Sequence, residues 1–163
     1  MLYLLLGGGK MKLVVQRVTK GCVTVEGKVL GQIKQGYVVF VGIGQQDSTT
    51  IVDKMIEKLI HLRIFSDSND KMNLSLLDIE GSVLSISQFT LYSDCRKGRR
   101  PNFTRAAKAE QAESLYNYFN ERLTRYVEVQ KGKFGANMAI SIENDGPVTI
   151  ILDSDEVIGK VDE

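Results

Sequence analysis

The chain predicts an α+β fold: a largely antiparallel β-sheet, barrel-like in its core, with two main helices. Three observations predict it. Runs rich in Val, Ile and Leu alternate with Gly-bearing turns as far as Ile43. Two later segments carry apolar residues at helical spacing. Short alternating runs then close the chain. With 163 residues, 43% of them hydrophobic and 25% charged, the chain has the size and balance of one soluble domain with a real core.

The elements follow in order. Leu13 to Val18 and Cys22 to Val25 read as two strands. Glu26-Gly27-Lys28 turns into Val29–Ile33, and Lys34-Gln35-Gly36 turns into Tyr37–Ile43. Glycine turns at such short intervals predict an antiparallel meander. Gly42 and Gly44 lack the third glycine of a dinucleotide fingerprint, and the pattern before them is all β. Asp47 or Ser48 can cap a first helix, whose stripe is Ile51, Val52, Met55, Ile56, Leu59, Ile60 and Ile64. Ser66 to Asp70 is a polar turn without the glycine and distal glutamate of a calcium loop.

Between Val83 and Tyr92 the pattern changes face. Leu84 and Ile86 share one parity, Ser85 and Ser87 the other; from Gln88 onward Phe89 and Leu91 take the parity of the serines. A half-buried strand does not swap faces, so a bulge or a strand end is expected here. After a polar connection from Ser93 to Thr104, Ala112, Leu115, Tyr116, Phe119 and Leu123 mark a second helix. Val127–Gln130 is a short strand, Met138, Ile140 and Ile142 alternate in another, and Asn144-Asp145-Gly146-Pro147 turns into a last strand, Val148–Leu152. Residues 1–10 read as an upstream extension, 11–153 as a single domain and 154–163 as a loose acidic tail.

Net charge is +1, so no overall field calls for a charged partner. Arg96, Lys97, Arg99 and Arg100 nevertheless crowd into one loop of an otherwise mildly acidic chain. Such a loop can meet phosphates, or it can be a solvated surface. Cys22 and Cys95 form no CxxC, which fits a reducing compartment. A single His gives no zinc set, so neither metal nor cofactor is expected. Met1 to Leu6 is apolar but broken by Gly7-Gly8-Gly9, too short for a signal peptide or a membrane span.

Acid–base chemistry is poorly supplied. Ser87, Thr90 and Cys95 are nucleophile candidates, but only His61, beside the apolar stripe of the first helix, offers an imidazole. A hydrolase built from these residues would lean on backbone donors and on groups of its substrate. Gly146-Pro147 is one of two X-Pro bonds; with cis at only about 5–6% of such bonds, local evidence reads it as an ordinary trans turn.

Taken together the segments resemble the D-aminoacyl-tRNA deacylase family. The resemblance rests on Val15-Gln16-Arg17-Val18, Ser87-Gln88-Phe89-Thr90, Lys97-Gly98-Arg99-Arg100-Pro101, Phe134-Gly135-Ala136-Asn137-Met138 and Asn144-Asp145-Gly146-Pro147-Val148-Thr149, in order and at family spacing. It implies a cytoplasmic homodimer that hydrolyses the ester between a D-amino acid, or mischarged glycine, and the 3′-terminal adenosine of tRNA. It puts Ser87, Gln88, Phe89 and Thr90 at the floor of the site. It makes Gly146 and Pro147 a Gly-cis-Pro pair that enters the partner's pocket and excludes L side chains. Arg17 would hold that pair, and Phe134 and Met138 would line the adenosine pocket. The 2′-hydroxyl of the tRNA and backbone amides near Phe89 and Thr90 would assist hydrolysis, while Arg96, Lys97, Arg99 and Arg100 would contact tRNA phosphates. Arg99 stands where the family commonly has Asn. Two alternatives stay open: Thr90 as an acyl-accepting nucleophile, and a non-enzymatic nucleic-acid-binding dimer.

Overall fold

The computed structural model describes residues 10–158. In chain order its elements are β1 (Lys12–Val25), β2 (Lys28–Ile33), β3 (Gly36–Gly42), α1 (Thr49–His61), β4 (Phe65–Ser66), β5 (Met72–Leu74), β6 (Ser82–Ser87), a 3-10 turn (Phe89–Tyr92), α2 (Ala109–Leu123), β7 (Val129–Lys131), β8 (Ala139–Asp153) and α3 (Ser154–Val157). Residues 1–9 and 159–163, most of the expected extension and half of the expected tail, lie outside the described residues.

The α+β class stands, and the sheet is mixed. β1 pairs antiparallel with β2 through Gly21–Val25 and with β3 through Lys12–Val18. β8 runs antiparallel to β1 along both halves. β3 then pairs in parallel with β6, and β6 in parallel with β7. β2 lies against β7, which nearly closes the sheet into a barrel.

Four expectations change. Leu13–Val25 is one strand rather than two, because exposed Thr19 and Lys20 fall at a register irregularity instead of a turn. β2 and β3 are not meander neighbours; each pairs with a different half of β1. Asn144–Pro147 is no hairpin turn, since β8 continues through it. The chain from Asp153 is not loose as far as residue 158. β8 ends at Asp153, whose carboxylate caps α3 by accepting from the Asp155 amide, and Ser154 N–H donates to Met11 O at 3.0 Å.

The core has two compartments, because side chains alternate across the sheet. Leu13, Val15, Tyr37, Val39 and Val41 face α1 and α2, whose buried stripes follow the spacing, except that Ile51 is half-buried, Ile64 lies beyond the end of α1 and Asn120 joins the α2 stripe. Val18, Val23, Ile33, Val38, Leu84 and Ile86 fill the barrel interior. Burying one such side chain fully contributes about 1.5–3 kcal/mol, so both compartments matter to stability. Ser48, not Asp47, caps α1 by accepting from the Ile51 amide. Asp47 instead turns inward to accept from Met11 N at 2.7 Å and Gly44 N at 2.6 Å.

β6 is the central strand on the path to the site, and one glycine lets it start there. Gly36 sits at φ 153°, where a Cβ would lie 1.9 Å from the Ser82 carbonyl oxygen. No side chain fits that gap.

Candidate active site

β6 stops at Ser87, and the face swap in the sequence is a strand end rather than a bulge. Gln88 N–H donates to Val41 O at 2.8 Å, its φ and ψ turn to −146° and 86°, and the 3-10 turn begins. The turn is pinned from below: Tyr92 is buried, and its hydroxyl donates to Gly42 O at 3.0 Å. Phe89 and Thr90, first in the turn, have no carbonyl within it to receive their N–H groups. Leu91 N–H, by contrast, reaches Gln88 O at 3.4 Å.

Above this strand end lies a cavity of about 610 Å³. Ser87, Gln88 and Phe89 form one side of it, and Phe134 and Met138 another. Apart from Asn137, the remaining wall is made of small and apolar groups, among them Ala106, Ala112 and Phe103. Phe89 is 57% exposed and meets Phe103 edge-on, with ring centroids 5.1 Å apart. No residue lining the cavity is an acid, a base or a thiol. Phe103 and Ala106 were not singled out from sequence, and Ala112 was read only as part of the apolar face of α2. Being the one aromatic residue in an otherwise mostly polar loop was the available signal for Phe103.

Thr90 does not line the cavity. Its hydroxyl oxygen accepts a hydrogen bond from the Gln88 amide, a group that cannot take the threonine proton. His61 is far from any such role. It is exposed at the end of α1, 3.3 Å from Glu57, and faces a different groove.

The Gly146–Pro147 peptide bond is cis, and both residues are exposed on β8. Neither lines the cavity of its own chain. Arg17 is buried behind them: its Nε donates to Asp145 O at 3.1 Å, its Nη1 donates to Ile64 O at 2.6 Å, and Nε lies 3.3 Å from Asp145 Oδ2. A side chain on Gly146 would begin 3.1 Å from Arg17 Nη2. Arg17 thus grips the residue before the Gly-Pro pair and shores up Gly146 itself.

Arg96, Lys97, Arg99 and Arg100 are exposed in a loop closed at its base by paired backbone bonds between Asp94 and Asn102, of 2.7 and 2.9 Å. Arg96 is committed to Asp94, at 2.7 Å, and its hydrogen bond holds the Asp94 carboxyl well below the usual range. Phe103 follows directly, so the loop is hinged at the rim of the cavity. Among the described residues, no group of His, Cys, Asp and Glu side chains converges as a metal site.

The buried carboxyl elsewhere in the core is Asp47. Burial pushes its pKa up to about 6, against the opposing pull of the Gly44 and Met11 amides.

Residues 14–153 match the family model described as D-Tyr-tRNA(Tyr) deacylase. The chain belongs to the D-Tyr-tRNA deacylase family. A solved structure titled "c-Myc DNA Unwinding Element Binding Protein" is 42% identical, with a TM-score of 0.82 over 87% of this chain and 97% of that one. Another, titled as a probable eukaryotic D-amino acid tRNA deacylase, is 19% identical, with a TM-score of 0.76 over 88% of this chain and 98% of that one. Both share the fold over nearly the whole chain. The family makes the chain a hydrolase of D-aminoacyl-tRNA. No described helix is long and apolar enough to cross a membrane.

Proposed function

We propose that the chain is a cytoplasmic homodimer that cleaves the ester between a D-amino acid, or mischarged glycine, and the 3′-terminal adenosine of tRNA. Residues 11–153 form the catalytic domain. The observation that carries this reading is the cavity beside the strand end, whose lining holds no side-chain acid, base or thiol. In such a site the amides of Phe89 and Thr90 stabilise the oxyanion, a role worth about 3–4 kcal/mol per donor. The ribose 2′-hydroxyl of the substrate then supplies the chemistry that the lining lacks, while Phe134 and Met138 hold the adenosine.

Chirality is set by the second subunit. Gly146 and Pro147 face outward from their own chain, so they reach a cavity only in a partner. There their backbone stands where the side chain of an L residue would go, and a D residue or glycine avoids it. Lys97, Arg99 and Arg100 contact acceptor-stem phosphates, adding affinity without base preference. Arg96, held by Asp94, contributes less.

The test is hydrolysis of D-Tyr-tRNA and L-Tyr-tRNA side by side. The D ester should be cleaved and the L ester spared; equal rates would sink the chiral filter, and an inert D ester the activity. Thr90→Ala should turn over within about threefold of the parent, because its hydroxyl has no base beside it. A collapse of turnover would restore the acyl-enzyme route.

A second reading, nucleic-acid binding without catalysis, draws on the basic loop and on the DNA-binding title of the 42% identical relative. It requires salt-sensitive RNA or DNA binding together with intact D-Tyr-tRNA after prolonged incubation.

A further inference from the structure

Tyr116 on α2 is among the most deeply buried large side chains, at 2% exposure. It also touches both the floor strand and a cavity wall. Its hydroxyl donates to Ser85 O at 2.8 Å, two residues before the strand ends at Ser87. Its ring meets Phe134, with centroids 6.1 Å apart and planes at 40°. The Ser87 backbone amide lies beside the same hydroxyl.

The Ser85 carbonyl does not depend on the hydroxyl. Ser85 O already accepts from Gly132 N–H at 3.2 Å, the bond that continues the β6–β7 pairing. A phenylalanine would fill the same apolar space without the cost of burying a phenol. The polar neighbours of the phenol are few and all belong to this corner: the Asn120 side chain, one helical turn beyond Tyr116, lies beside the hydroxyl with the Ser85 and Ser87 groups, and neither Asn120 nor Ser85 Oγ has a well-formed hydrogen bond elsewhere. A second donor on a carbonyl that is already paired does one thing well: it fixes where that carbonyl sits relative to α2. Through Gly132, the same carbonyl is tied to the start of the segment that carries Phe134 and Met138.

We infer that Tyr116 is a positioning residue. Its hydroxyl sets the height of the Ser87–Phe89 strand end, and its ring sets the Phe134 wall, so the two sides of the cavity keep one spacing. The inference rests on the deacylase reading for its catalytic consequence, though not for its structural one. Loss of the hydroxyl alone should move the amide donors and leave the nucleotide wall in place.

The experiment is Tyr116→Phe, with Tyr118→Phe as the control. Tyr118 is on the same helix, and its hydroxyl donates to Asp53 at 2.9 Å, away from the cavity. With D-Tyr-tRNA, Y116F should lose roughly tenfold in kcat with KM within about twofold, since small displacements of a reacting geometry cost rate more than binding. Hydrogen–deuterium exchange in residues 83–92 should quicken in Y116F and stay unchanged in Y118F. A Y116F enzyme with kcat within twofold of the parent overturns the inference. So does a loss of kcat that merely follows a fall in Tm, equal in the two variants. If the parent protein does not hydrolyse D-Tyr-tRNA, the deacylase reading fails by itself, and exchange then decides: unchanged protection at 83–92 in Y116F overturns the positioning role.

Discussion

The strand end at Ser87–Tyr92 and the outward segment at Asn144–Pro147 carry the two halves of the proposed site, and the chain treats them oppositely. The first is fastened inside its own subunit, to β3 through Gln88 and Tyr92. The second projects from β8 at a register irregularity, exposed at its tip, and is braced from behind by Arg17. On the proposed reading, chemistry that needs fixed donors is placed on the region that cannot move without unfolding the sheet, and discrimination, which needs only a shape offered to another molecule, on a region the sheet tolerates as a detour.

The comparison breaks most sharply at Gly36. Gly36→Ala drives a Cβ into the Ser82 carbonyl, so unfolding in urea should show a loss of about 4 kcal/mol or failure to fold. Retained stability would mean that β6 is not fastened as described. Next comes Arg17→Ala. Three contacts vanish, two of them to backbone carbonyls, and the expected loss is about 2–3 kcal/mol, smaller than at Gly36. If the outward segment is the chiral filter, D-Tyr-tRNA turnover survives this change while the ratio of D to L hydrolysis drops. A variant that loses both equally would show that the halves are not separable.

The smallest effect is a pH slope at Asp47, which belongs to the fastened half. Its folded-state pKa is raised from 3.8 to about 6, so between these values the folded protein holds more protons than the unfolded chain. Its contribution is therefore fully present below about pH 4 and is lost as pH rises through about 6. Over that window Asp47 should remove up to about 3 kcal/mol, and less to the extent that its neighbours relax. Denaturation at pH 4, 5, 6 and 7 in the parent and in Asp47→Asn checks it: the difference between the two should change across the window and be flat above it.

The sequence makes the strands and helices legible because Val- and Ile-rich runs and helical stripes depend on near neighbours. Pairing does not. Nothing local says that Tyr37–Val41 meets Val83–Ser87 in parallel, or that Ser85 is buried; its burial follows from β6 having β3 on one side and β7 on the other. The residues Asn144 to Pro147 are turn formers by type, yet β1 holds β8 on both sides of them, so the pairing resumes instead of reversing. The strand end at Ser87–Phe89 was legible through a broken alternation and a family motif. Phe103, Ala106 and Tyr116 were not, because their role lies in what they face across the fold.

The basic loop has a practical consequence. Its two ends are joined by the Asp94–Asn102 backbone pair before any side chain is considered, which makes it a cassette whose contents can be exchanged while the frame stays shut. Cys95 stands exposed just inside that frame, whereas Cys22 is half-buried. A fluorophore on that thiol would ride beside Lys97, Arg99 and Arg100 and report nucleic-acid arrival by anisotropy, with no residue of the cavity altered.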